Sequence, residues 1–264
     1  MLEVIVVEYN KSTLKEYLLF DTPFQYNESI TLYPIKMENI LVFNQCQQAF
    51  MIRKNAIFTE KEFIKMEYFE FLKYSALNPE IGMKYNIPYL PYCYSMAMRL
   101  ISIMCGEGSE IKYNKGTLQT WINEVEITDH IFDDIRRIFF IQNDIDFDID
   151  EFMNIDTLRA LEKAREFEAR KNNDNGDTED YIDSLAVSLK VSNEYIENLT
   201  IRKFWRYIKR IKKHEEYQAC HAGEMSGMVT FKQPLQHWMS SMEVDDKYAN
   251  LKTDESELRS KIGG

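Results

Sequence analysis

The chain has 264 residues, 45% of them hydrophobic and 13% aromatic, and a formal net charge of −11. That length carries one large domain or two smaller ones with ample material for a packed core. The acidic balance argues against wholesale nucleic-acid binding, and the scarcity of Gly and Pro excludes a collagen-like or turn-dense all-β chain.

MLEVIVVEYN reads as a first β-strand, because an acid at position 3 and the lack of a basic leader do not suit a signal peptide. The runs KEYLLF and SITLYPIKM are rich in β-branched and aromatic residues and read as further strands. MENILVFNQCQQAFMI then takes helical spacing through Ile40, Phe43, Cys46 and Phe50. Thr59 is a candidate cap for a helix through FIKMEYFEFLKYSAL, aromatic on several sides and so expected to be buried. Pro88 and Pro91 mark a loop before the apolar helix YCYSMAMRLISIMC, which Gly106 should end. EIKYN and TLQTWINEVEI predict two strands around Lys115-Gly116. Thr128 or Asp129 should start the helix HIFDDIRRIFFIQN, with Ile131, Ile135, Ile138, Phe139 and Ile141 as its apolar face.

Asn154 suits the N-cap of TLRALEKAREFEARK. The polar run KNNDNGDTED (171–180) is the best linker candidate, and three short helical patterns capped by Thr178, Ser192 and Thr200 follow it. The reading is therefore α+β: a mixed body over 1–170 with a small sheet and several helices, a linker over 171–180, a helical module over 181–242, and a flexible tail over 243–264. No apolar run is long enough for a membrane span.

The segment from Thr200 to Met239 stands out. Arg202, Lys203, Arg206, Lys209, Arg210, Lys212 and Lys213 crowd its first part, while Ile201, Phe204, Trp205, Ile208 and Ile211 form one apolar stripe. Its second part is rich in Met, Gly and aromatic residues and fits neither an ordinary helix nor a hairpin. The basic face suits a solvated outer surface, docking on an acidic protein partner, or nucleic-acid or membrane contact through Phe204 and Trp205. Met225, Met228, Met239 and Met242 favour a protein partner, since flexible thioethers adapt to varied apolar surfaces. They serve equally as fillers of core gaps.

Catalytic and metal chemistry find little support. Asp144, Asp146, Asp148 and Asp150 alternate as in a Ca²⁺ loop, but Ile149 stands where the turn needs Gly and Ile155 where a bidentate Glu is needed. His214, Cys220 and His221 match no zinc spacing and lack a fourth ligand. Cys46, Cys93, Cys105 and Cys220 form no CxxC pair and read as reduced thiols. No enzymatic activity, metal or cofactor is expected.

The blocks ITLYPIKMENILVF, DDIRRIFFIQNDIDF, LTIRKFWRYIKRI and GEMSGMVTFKQPLQHWM, in this order, resemble the tail assembly chaperones of large contractile-tailed bacteriophages. The baseplate and hub assembly proteins of the same phages are similar in style. The resemblance runs through nearly the whole chain and rests on block order. It implies a protein of the host cytoplasm that binds the phage tape measure protein, shields its apolar stripes and promotes tail tube assembly. A body that self-associates or meets tail tube protein is also implied. The linker and helical extension are similar in layout to a frameshifted long form. Partner contact is expected at Arg202, Phe204, Trp205, Arg206, Lys209, Arg210, Met225, Met228, Phe231 and Trp238. The competing readings are a structural protein of the phage tail or baseplate, and a nucleic-acid-binding regulator using the helix at 202–213.

Overall fold

The computed structural model describes residues 9–149, 156–157, 159–160, 163–164, 176–227, 231 and 235–241. The expected first strand before Tyr9, the helix capped by Asn154 and the tail over 243–264 lie wholly or largely outside these residues, as do 171–175 of the linker. The fold class is α+β, with a helical C-terminal part. Two compact units can be distinguished: Met1–Glu151 with Glu194–Phe204, and Phe152–Asn193 with Trp205–Gly264. This partition breaks after Glu151 rather than at 171–180, and Glu194–Phe204 belongs with the first unit.

The first unit begins with α1 (Lys15–Phe20), where a strand was expected. Leu14 and Leu18 are both buried, and their four-residue spacing is that of one helix face. Two short strands follow, β1 (Phe24–Gln25) and β2 (Thr31–Leu32), paired antiparallel with Phe24 opposite Leu32. SITLYPIKM is thus strand only at its start, and Met37–Asn39 already forms a 3₁₀ turn. The next helical run is α2 (Ile40–Cys46), continued by a 3₁₀ turn over Gln47–Phe50.

After α3 (Lys54–Ile57), the expected single helix is two: α4 (Lys61–Lys65) and α5 (Tyr68–Leu77). Met66 and Glu67 are extended between them, and Lys54 Nζ donates to the freed Met66 carbonyl. Glu60, not Thr59, occupies the cap position of α4. Tyr68 explains the break, for it is drawn into the core, where its hydroxyl donates to Ala49 O at 2.8 Å and accepts from Ile52 N at 3.1 Å.

The helix α6 (Glu80–Lys84) leads to α7 (Cys93–Cys105), which ends as expected at Gly106 with φ +75°. Then come three strands rather than two: β3 (Ile111–Tyr113), β4 (Thr120–Ile122) and β5 (Val125–Glu126), in the antiparallel order β3-β4-β5. Asn123 at φ +56° makes the extra turn that splits TLQTWINEVEI. Thr128 caps α8 (Asp129–Gln142) by accepting from Ile131 N. Asp129 reaches away from its own helix and accepts from Glu70 N at 2.9 Å, satisfying a donor in the first turn of α5.

The core of this unit is aromatic. The rings of Phe69 and Phe132 stack at 4.6 Å, and Phe50 meets Phe139 edge-on at 4.7 Å. Arg136 is buried among them; its guanidinium lies 3.6 Å from the Tyr68 ring centroid, and Nε donates to Phe50 O at 2.7 Å. The aspartates that imitate a Ca²⁺ loop have other partners: Asp144 pairs with Lys11 at 2.9 Å and Asp148 with Arg53 at 3.7 Å.

Candidate protein-binding surface

The second unit is built around two helices. The first, α9 (Thr178–Leu189), starts from a reciprocal capping box between Asp177 and Asp180, so Thr178 is its first helical residue rather than its cap. Lys190 at φ +55° ends it in the left-handed conformation. The short α10 (Asn193–Glu197) follows, and from Glu194 on it belongs with the first unit. The last helix, α11 (Ile201–Met225), is far longer than the short helix expected from its pattern. Thr200 Oγ1 caps it by accepting from Lys203 N at 3.1 Å. The helix runs through His221-Ala222-Gly223-Glu224 and so includes part of the segment that had no helical reading.

The first turn of α11 belongs to the first unit. Ile201 and Phe204 are fully buried there. Two of the basic residues are used within the same unit: Arg202 Nη1 donates to Leu18 O at 2.9 Å and Lys203 Nζ to Leu19 O at 3.0 Å. These are last-turn carbonyls of α1 that no helical amide can reach, and cations suit that end of the helix dipole.

Further along, in the second unit, the Trp205 ring meets Tyr181 of α9 edge-on at 5.1 Å. Lys212 Nζ lies 5.1 Å from the centroid of the same tyrosine ring. Arg210 donates to the carbonyls of Trp238 and Ser240, the latter at 3.0 Å. Lys213 donates to Ser240 Oγ at 2.7 Å and to Ser241 O at 2.9 Å. The chain therefore returns along α11, and residues 237–241 lie against it. Gly227 at φ +72° stands at the start of that turn. Aromatic contacts add to the seam, with Trp238 on His214 at 4.8 Å and His237 on Tyr217 at 5.1 Å.

The sequence-predicted contact residues thus separate. Phe204 is core, and Arg202 and Arg210 hold main-chain carbonyls. Trp205, Arg206, Phe231 and Trp238 are half-buried, whereas Lys209 and Met225 are exposed. Trp238 is anchored on α11 against His214, and Trp205 packs on Tyr181 of α9. Met228 and Pro234 lie outside the described residues. Among the described residues, no three His, Cys, Asp or Glu side chains are grouped as a metal site would require, and no helix is long and apolar enough to cross a membrane.

Sequence reasoning missed the trough between α9 and α11. Its volume is about 480 Å³, and its apolar surface comes from Tyr181, Val187, Ile208 and Ile211. Val187 is 78% exposed on α9, and Leu189 of the same helix is exposed too, whereas Leu185 is buried. Asp183 and Glu215 stand at its rim. A β-branched apolar side chain left uncovered between two serines, Ser184 and Ser188, was the available signal.

A family model described as the YomV second domain matches residues 170–243. The matched span takes in α9, α10, α11 and the returning segment, well under half of the chain. The match supports a phage protein and does not distinguish a tail assembly chaperone from other phage roles. No curated protein and no solved structure matches the chain.

Proposed function

We propose that this chain is a phage tail assembly chaperone of the host cytoplasm, which binds the tape measure protein through its second unit and promotes tail tube assembly. The observation that carries this reading is the open apolar trough between α9 and α11, within the span matched by a phage domain. A long helical chain with uncovered apolar stripes aggregates unless another surface covers them. A trough between two helices is the shape that receives one face of such a helix. Exposed Met225 adds adaptable contact area. The first unit exposes Leu19, Phe20 and Leu41, which suit self-association or contact with tail tube protein. The reading needs no catalysis and no cofactor.

Co-expression with the tape measure protein of the same phage tests it. The tape measure protein should be soluble and should co-purify with the chain, and finished virions should lack the chain. A stoichiometric amount in purified virions would make it a structural component of the tail or baseplate instead. The regulator reading has less to stand on, because Arg202, Lys203, Arg210, Lys212 and Lys213 already have partners within the chain. Duplex DNA should bind only weakly, and that binding should be lost as salt is raised.

A further inference from the structure

We infer that the trough between α9 and α11 takes two turns of an amphipathic helix whose apolar ridge is flanked by basic residues. This rests on the second unit being a helix-binding module and names the chemistry of its partner. The sequence suggests the opposite polarity: a basic helix should meet an acidic partner. The side chains say otherwise.

The trough-lining residues of α11 are Ile208, Ile211, Lys212 and Glu215, spaced as a single helix face. Arg206, Lys209, Arg210 and Lys213 are not among them. Lys212, the one cation at the trough among the described residues, lies over the Tyr181 ring. On the facing helix, Asp183 stands beside Val187. The trough therefore presents an apolar floor, the small hydroxyls of Ser184 and Ser188, the Lys212 ammonium over Tyr181, and two exposed carboxylates, Asp183 and Glu215, one on each wall, so that acids outnumber the cation.

Length and shape select a helix. Tyr181 to Ser188 and Ile208 to Glu215 each span about 10 Å, or two helical turns. Ser184 and Ser188 are small and lie four residues apart, so a third backbone can approach closely. Most lining residues are exposed, so the site is an open cradle rather than a pocket that encloses a small molecule. An occupant with apolar residues at i, i+3, i+4 and i+7 would cover Val187 and Ile211, and Lys or Arg beside that ridge would meet Asp183 and Glu215.

The test uses the full chain and labelled helical peptides of about 18 residues with a Leu ridge at that spacing. One peptide carries Lys at the flanking positions and one carries Glu. Fluorescence anisotropy should show the Lys peptide binding about tenfold more tightly than the Glu peptide. The double variant Asp183→Lys/Glu215→Lys should invert that preference, an outcome that misfolding cannot produce. Val187→Asp, at an exposed position, should abolish binding of both peptides. Equal binding of the two peptides, or binding indifferent to Val187→Asp, overturns the inference. So does a chain that sediments as a dimer and becomes monomeric on Val187→Asp, for the trough then holds a second copy. Capture of the tape measure protein without peptide binding sinks this inference and leaves the proposed function standing. Peptide binding with the expected preference, without capture of the tape measure protein, does the reverse.

Discussion

Arg202 donates from Nη1 to the main-chain oxygen of Leu18 at 2.9 Å, joining the first turn of α11 to the end of a helix 184 positions earlier in sequence. Arg202→Ala strands the Leu18 carbonyl and should cost about 1–2 kcal/mol in urea denaturation. Lys203→Ala, at a more exposed bond, should cost less than about 1 kcal/mol. If Arg202→Ala leaves stability unchanged but weakens partner capture, this guanidinium belongs to the binding surface.

Phe204 and Trp205 are neighbours with different surroundings. Phe204 is fully buried, and Phe204→Ala should cost about 3–5 kcal/mol. Trp205 is half-buried against Tyr181, so Trp205→Ala should cost about 1–2 kcal/mol. The apolar stripe told which side of α11 turns inward. It did not tell which of two adjacent aromatics is enclosed, and chemical denaturation of the two variants checks the order.

Asp133 carries a buried oxygen with no hydrogen-bond partner, and burial raises its carboxyl above the ordinary range despite the nearby positive charge of Arg136 and Arg137. The folded pKa therefore exceeds the unfolded one. Between the two values the native state holds more protons, so the contribution of Asp133 to stability falls as pH rises through that window. Asp133→Asn should raise Tm at neutral pH, with the gain fading as pH falls through that window and gone below the ordinary aspartate range. A gain that persists undiminished in acid would assign the effect to something other than this ionisation.

Gly82 sits where a side chain has no room. An added Cβ would lie 2.8 Å from Ile87 O and 2.9 Å from Pro91 Cδ, and the first of these is backbone that cannot swing aside. Gly82→Ala should destabilise the first unit by about 1–3 kcal/mol. Thermal unfolding at the wild-type Tm would mean that the loop between α6 and α7 yields more readily than its contacts suggest.

The legible parts of the fold were those governed by local pattern. The helices α7 and α8, the stop at Gly106 and the caps at Thr128 and Thr200 all follow from spacing and short-range chemistry, but the apolar face of α8 is Phe132, Ile135, Ile138, Phe139 and Phe140, with Ile131 and Ile141 only half-buried. Elsewhere the outcome turned on residues outside the run being read. KEYLLF is aromatic enough for a strand, but Leu14, one residue upstream, joins Leu18 in the core and selects a helix. FIKMEYFEFL has no helix breaker, yet Tyr68 and Lys54 interrupt it through tertiary hydrogen bonds. The basic block misled for the same reason. Its residue types were plain, but the carbonyls of Leu18, Leu19 and Trp238 that hold three of them lie far away in the sequence.

The charge reversals on α11 should therefore diverge. Lys209 is exposed and Arg206 half-buried, away from the trough. Arg206→Glu with Lys209→Glu should alter the rate and salt dependence of tape measure capture without abolishing it, as charges outside a contact centre do. Arg210→Glu should act through the fold, because it breaks the bonds to the Trp238 and Ser240 carbonyls and places an acid against them. The segment 237–241 should then become more sensitive to protease, and Trp238 fluorescence should shift to the red as the ring leaves His214. Val187→Asp should abolish capture with neither change. If the Arg206/Lys209 variant loses capture completely while Val187→Asp retains it, the partner docks on the basic face and not in the trough.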